Sequence, residues 1–347
     1  MSDITTGRNK KIDYLKGIGI FCVVFAHCWL RPTELFWLIY RFHMPLFFVI
    51  SGYLSSNKNE VRFEKYILKK IKQLFVPYSL FFVFSWLASV CILDAEISWK
   101  QLICAFLYSG KWLVRVNNWA LWYLPLFFLA TLIFYFYAKI KDKLFMYIIC
   151  IVIFVVAPLF QKHMYGIFEE GYIPLSLQVL PGALFFMCLG CVLARNKYDG
   201  TIFKDKWKNG IVSILMGLCG LMISQKNSEQ ILHFETYTYM ISAVLILQSI
   251  VWFTRSSSNV YIEYMGKNSI YIYGVHRVIL AVIQEKIYND TFQGTNISGS
   301  VATALVTVLT IIISLGICKL WCCLIGEIKK FSGELKASQG HKILSGK

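Results

Sequence analysis

Runs of about 20 apolar residues, broken by short basic loops, constrain this chain more than any other feature. Inside lipid the backbone must satisfy its own hydrogen bonds, and a hydrocarbon core about 30 Å thick is crossed by helices of that length. Ten runs fit: 15–33, 35–54, 74–93, 119–138, 144–160, 175–194, 210–224, 236–254, 268–285 and 299–325. The fifth and seventh are short, and only Arg31, Pro32, Thr33 and Glu34 separate the first two. No small-residue cleavage site follows the first run, which is therefore expected to remain as a span. The chain is 57% hydrophobic and 16% charged, where a soluble domain carries about 45–50% and about 25%. That balance excludes a disordered chain, a disulfide-stapled secreted domain and an ordinary soluble enzyme. The expected fold is an all-α polytopic membrane bundle of about ten transmembrane helices.

The net charge of +16 is unevenly spread. With the N-terminus inside, the inner segments hold 25 Lys and Arg and the outer loops seven, which is the asymmetry of the positive-inside rule. Both termini are thus expected in the cytoplasm, with tails at 1–11 and 327–347 around a membrane domain at 12–326. The same rule accounts for the cations with no nucleic acid as partner. The longest outer loop, 94–118, has room for one interfacial helix, and its Trp99 and Trp112, with Trp119 just beyond, suit the headgroup level. The 11 Cys lie mostly inside apolar runs and read as small packing residues. Cys188 and Cys191 form a C-x-x-C with no second pair.

Ionisable groups inside lipid are costly and mark function. In the first span Lys16 and His27 are 11 residues apart, which puts them on nearly one face about 16 Å apart along the axis. Asp13 falls on that face, one turn below Lys16. In the second span Pro45 removes a backbone bond and invites a kink, with Arg41 and His43 on its outer side. Counted at about 1.5 Å per residue, His27 lies about 18 Å above the inner boundary and His43 about 13 Å below the outer one. These two imidazoles are nearly level, on consecutive antiparallel helices. His276 reaches about 12 Å, somewhat deeper in the cytoplasmic half. Imidazole is the usual general base and proton carrier near neutrality. No H-x-x-x-H or H-E-x-x-H spacing is present, and zinc would need ligands from three helices, so no metal site is expected.

The second cytoplasmic loop, over Lys65–Tyr78, gathers Lys69, Lys70 and Lys72. Two readings stay open: anchors on anionic membrane lipids, or a cradle for the phosphates of a soluble anionic cofactor. The fourth span opens with Asn117-Asn118-Trp119-Ala120-Leu121-Trp122-Tyr123-Leu124-Pro125. Its aromatics form either an interfacial belt or a stacking platform for a sugar.

Taken in order, these segments resemble the acyltransferase 3 family of integral membrane acyltransferases. The resemblance rests on Ile12-Asp13-Tyr14-Leu15-Lys16-Gly17-Ile18 followed by His27, on Phe42-His43-Met44-Pro45-Leu46-Phe47-Phe48 and Ser51-Gly52-Tyr53, and on Lys69-Lys70-Ile71-Lys72 ahead of Pro77-Tyr78. It continues through Leu121-Trp122-Tyr123-Leu124-Pro125 and Ile270-Tyr271-Ile272-Tyr273-Gly274-Val275-His276, covering about 12–325. Within the family the chain looks most like the short, unfused sugar O-acetyltransferases related to fucose 4-O-acetylases. The family pattern in the first span is Arg, ten residues, then His; here Lys16 takes the Arg position, keeping the charge but losing the bidentate fork.

The resemblance implies acetyl-CoA as the acyl-donor substrate, delivered from the cytoplasm, with no tightly bound cofactor. It implies a carbohydrate or lipid-linked glycan as acceptor, in a bacterial cytoplasmic membrane. On that reading Lys69, Lys70 and Lys72 hold the CoA phosphates and His27 deprotonates the attacking hydroxyl. Asp13 and Lys16 position the donor or orient the stripe, and Arg41, His43 or Ser51 steadies the developing oxyanion. Trp122, Tyr123 and His276 face the substrate. Many relatives carry a fused extracytoplasmic domain that completes transfer; none is expected here, so the membrane domain transfers directly or a separate extracytoplasmic acetyl-carrier protein finishes. The rival class is a transporter or flippase for a lipid-linked glycan, which intramembrane Arg and His also suit. Transporters usually show internal repeats, and none is found.

Overall fold

The computed structural model describes residues 9–28, 34–56, 62–169, 172–225, 236–288 and 301–321. Helix α1 runs Lys10–Cys28 and α2 Glu34–Ser55. Helix α3 (Phe63–Lys70) continues through a π turn (Ile71–Phe75) into α4 (Val76–Cys91). Then come α5 (Trp99–Tyr108), two 3-10 turns (Gly110–Val116 and Trp119–Trp122), α6 (Tyr123–Ala138), α7 (Lys143–Ile167) and α8 (Leu180–Arg195). The chain goes on through α9 (Lys206–Gln225), α10 (Tyr237–Thr254), α11 (Val260–Lys267), α12 (Ser269–Ile283) and α13 (Val301–Trp321). No strand occurs among the described residues.

Each of the ten expected spans falls, in its described part, on one of these helices. Seven segments are long and apolar enough to cross a membrane by themselves: Leu35–Ser55, Phe63–Cys91, Trp119–Ala138, Lys143–Ile167, Pro174–Arg195, Tyr237–Thr254 and Val301–Trp321. The remaining three carry reasons for falling short. Helix α1 bears Lys10, Lys11, Asp13 and Lys16, α9 bears Lys206, Lys208 and Asn209, and α12 has 15 residues before its own π turn. The fifth span, short by hydropathy, is a 25-residue helix. The outer loop does hold one short helix, α5, started by a capping box in which the Ser98 hydroxyl accepts from the Gln101 amide at 3.3 Å and the Gln101 side chain accepts from the Ser98 amide at 3.0 Å.

Two boundaries differ from the sequence reading. Residues 65–78, read as a loop, are helical from Phe63 onward. Pro77 has no amide proton and its ring crowds the carbonyl four residues earlier; the preceding turn widens, and the Val76 amide donates to Ile71, five residues back. A π turn of this kind lets the helix pass a proline without ending. Helix α1 begins five residues before the expected span, whereas helix α2 runs through Pro45 as the expected span does. The break at Arg31–Thr33 and the tail at 327–347 lie outside the described residues, as do the first eight residues of the N-terminal tail.

Close backbone crossings at glycine assemble the bundle. A Cβ on Gly52 of α2 would stand 1.9 Å from the Met187 carbonyl oxygen on α8, and one on Gly190 of α8 would stand 2.0 Å from that of Val49. A second crossing joins α1 to α11: a Cβ on Gly17 would lie 2.0 Å from the Ile262 oxygen, and one on Gly266 would lie 1.7 Å from the Asp13 oxygen. Small residues at such points let helix backbones approach in lipid, where apolar burial gives no drive. The core between the helices is aromatic, with Phe48, Phe134, Phe186 and Tyr78 all buried. The outward faces stay apolar: Ile148, Ile151, Val155 and Leu159 form an exposed stripe on α7, as Leu305, Val308 and Ile312 do on α13. Such stripes suit a lipid solvent.

Candidate active site

Helices α1 and α12 meet through two imidazoles. His27 lies on the last turn of α1 and His276 halfway along α12, with Nδ1 of the first 2.7 Å from Nε2 of the second. The ring centres are 5.0 Å apart and the planes 5° from parallel. With two nitrogens in hydrogen-bond contact, that separation is what two ring radii supply when the rings lie edge to edge along one line. The rings are therefore coplanar and in line, not face to face. His276 is fully buried, and its Nδ1 donates to the Tyr273 carbonyl at 2.8 Å. His27 is half-buried.

The sequence reading set His27 level with His43 and placed His276 deeper; the packing pairs His27 with His276 instead. Counting residues gives depth along one helix; which imidazole stands beside His27 is decided by how α1 and α12 pack. His43 is buried and donates from Nδ1 to the Ile39 carbonyl on its own helix at 2.7 Å. Tyr40 links the two sites, with its ring centre 5.0 Å from that of His43 and 6.2 Å from that of His27. Arg41 is two residues from His43, so it points to another face of α2. It is buried with its guanidinium 5.2 Å from the Tyr239 ring of α10, whose hydroxyl donates to the Tyr40 carbonyl at 3.1 Å. Arg41 thus braces α2 against α10.

Below the imidazoles lies a cavity of about 340 Å³. Its polar lining comes from Lys16 on α1, Ser51 and Ser55 on α2, Lys70 on α3, Gln73 on the π turn and Ser269 on α12. These residues sit toward the helix ends that the charge pattern predicts to be cytoplasmic. Met44, Phe47, Phe127, Tyr123 and Tyr273 are among the residues that form the rest of the wall. The Tyr123 and Tyr273 ring centres are 5.5 Å apart, and the Tyr273 carbonyl is the one that holds His276. The cavity therefore reaches within one helical turn of the imidazole pair. The structure brings Lys16, Ser51, Lys70 and Tyr123 to this one space. It leaves Lys69 and Lys72 exposed on the outer faces of the helix, while Lys70 is half-buried with its ammonium 5.3 Å from the Tyr66 ring. Trp122 packs on Tyr123, ring centres 6.3 Å apart, outside the cavity lining. Asp13 is buried at the α1–α11 crossing, a turn below Lys16.

Three residues beside the imidazoles have no role assigned from sequence. Trp119, in the segment that reads as either a belt or a sugar platform, meets His27 edge-on with ring centres 4.6 Å apart. Arg277 holds its guanidinium 5.5 Å from the Trp119 ring, and its Nε and Nη1 are buried with no hydrogen-bond partner among the described residues. Its position in an apolar run was the signal available. Asn118 is completely buried and donates from Nδ2 to the Ser85 hydroxyl and to the Gly274 carbonyl, both at 2.8 Å. It fastens the loop carrying Trp119 to α4 and to the turn of α12 just before His276. Among the described residues no three His, Cys, Asp or Glu side chains converge as metal ligands.

Residues 9–319 match a family model described as an acyltransferase domain, that of the acyltransferase 3 family. The chain is similar to the nodulation protein NolL of Sinorhizobium fredii, 29% identical over 230 residues, which is 61% of this chain and 55% of that protein. It is also similar to the nodulation protein NolL of Mesorhizobium japonicum, 44% identical over 63 residues, 15% of this chain and 17% of that one. The match spans about half the length of the first relative and less of the second. No solved structure matches.

Proposed function

The chain belongs to the acyltransferase 3 family, and from that premise we propose that it is a membrane O-acyltransferase that moves an acetyl group from cytoplasmic acetyl-CoA to a hydroxyl of a cell-surface polysaccharide or its lipid-linked sugar precursor. The observation that carries the reading is the shared residue between cavity and imidazoles. A cavity lined by Lys16 and Lys70 is also walled by Tyr273, whose carbonyl accepts from His276, the partner of His27. Lys70 and Lys16 supply positive charge for the CoA phosphates at the mouth. The apolar wall of Met44, Phe47 and Phe127 suits the uncharged pantetheine arm. His27, half-buried beside Trp119, takes the proton of the attacking sugar hydroxyl. Lys69 and Lys72, exposed on the same helix, meet anionic lipid headgroups. The bilayer spanned is a bacterial cytoplasmic membrane.

The test uses membranes bearing wild type or His27→Ala, supplied with acetyl-labelled acetyl-CoA. Label is expected in surface polysaccharide or lipid-linked sugar with wild type and not with a well-inserted His27→Ala. Wild-type membranes that neither transfer label nor bind CoA would overturn the reading and favour a glycan transporter, measured as flux of lipid-linked sugar.

A further inference from the structure

The hydrogen bonds at the imidazole pair determine where its protons sit. A carbonyl oxygen only accepts, so Nδ1 of His276 carries a hydrogen, given to Tyr273 at 2.8 Å. In the neutral ring Nε2 of His276 is then a bare lone pair. That lone pair lies 2.7 Å from Nδ1 of His27, so Nδ1 of His27 must supply the hydrogen between them. The neutral His27 ring is left with its own lone pair on Nε2. The coplanar, in-line rings aim the shared N–H along the bond axis, the geometry in which such a bond is strongest.

We propose that His276 is a positioning residue that holds His27 in the Nδ1-protonated tautomer, so that Nε2 of His27 is the atom that accepts the proton of the acceptor hydroxyl. This deepens the acetyl-transfer reading and rests on it for the identity of the substrate, not for the tautomer. As the hydroxyl oxygen bonds to the thioester carbon, its proton passes to Nε2 of His27. The resulting imidazolium keeps donating from Nδ1 to His276. When the tetrahedral intermediate collapses, the carbon–sulfur bond breaks, the sulfur leaves with its electron pair, and Nε2 returns the proton to it. The products are the ester and free CoA thiol, with His27 neutral in its starting tautomer. The Tyr273 carbonyl anchors this relay, and Asn118 pins the adjacent Gly274 carbonyl. The second imidazole therefore acts through the first, with no contact to substrate required.

The experiment is nitrogen-15 magnetic resonance on the full chain in lipid with labelled histidine, the His27 signals assigned by their loss in His27→Gln. A protonated Nδ1 and a bare Nε2 on His27 are expected; a protonated Nε2 would overturn the proposal whatever the activity. Two variants carry it to function. In His276→Gln the amide oxygen stands near the lost Nε2 and accepts from His27, so kcat should stay within about tenfold of wild type. In His276→Leu no acceptor remains, and kcat should fall on the order of 10²–10⁴-fold with KM for acetyl-CoA unchanged. Equal losses in both variants would overturn the positioning role. Should wild type prove inactive with acetyl-CoA yet show the expected tautomer, the substrate reading falls and the proton placement stands.

Discussion

Replacing Gly17 with Ala tests the link between backbone packing and the imidazole pair. Helix α11 runs into α12 through Asn268 alone, so the α1–α11 crossing sets how α1 sits against the helix carrying His276. A carbon–oxygen contact needs about 3.3–3.6 Å, and the added Cβ would start 2.0 Å from the Ile262 oxygen. Backbone on both sides cannot rotate away, so α1 must retreat by about 1.4 Å. Passed in full to His27, that shift stretches the 2.7 Å bond to His276 to about 4 Å, beyond hydrogen-bond range. Overpacking of this kind costs about 1–3 kcal/mol, and misplacing a reacting group by about 1 Å can cost on the order of 10²-fold in rate. Gly316 on α13 is the control, since a Cβ there meets nothing within 4 Å; relief of the glycine penalty should leave Gly316→Ala up to about 1 kcal/mol more stable. Thermal unfolding of detergent-purified protein and initial rates of acetyl transfer read both effects. Gly17→Ala is expected to unfold earlier and to lose most of its rate. If it instead matched Gly316→Ala in midpoint and rate, the crossing would not position His27.

Three further outcomes follow from the same geometry. Asn118→Leu removes two buried 2.8 Å hydrogen bonds and should destabilise by about 1–3 kcal/mol, seen as a lower unfolding midpoint with a lower kcat. Lys70→Gln should raise KM for acetyl-CoA by about 5–10-fold, whereas Lys69→Gln, on the exposed face, should change it less than about twofold. Trp119→Ala removes the ring against which His27 packs and should lower kcat by on the order of 10-fold or more while CoA binding, measured by calorimetry, stays intact.

Hydropathy made the helices legible because lipid leaves the backbone no other partner, and the described part of every expected span lies on a helix. Boundaries were harder. The basic Lys65–Tyr78 stretch reads as a loop, but it is helical, one wider turn carries the helix past Pro77, and nothing local shows that Val76 will donate to Ile71. The basic cluster was visible as a cluster, yet only helical phase separates Lys70, which reaches the cavity, from Lys69 and Lys72, which face outward. His276 was visible as a costly group in lipid, and so was Arg277, but cost alone does not tell which partner satisfies each.

The sequence by itself determined the class of fold, the family and the residue types at the site, because apolar run length, charge asymmetry and ordered motifs are properties of the chain in one dimension. Counting along a helix gives depth and nothing about lateral neighbours. Tertiary structure decided that His27 bonds His276, 249 residues away, while His43 turns to its own backbone. It brought Trp119 onto His27 and opened one cavity to Lys16 and Lys70 together. The physical reason is that glycine crossings and buried side-chain bonds between distant helices fix their rotation and spacing, and those contacts exist only once the bundle has closed.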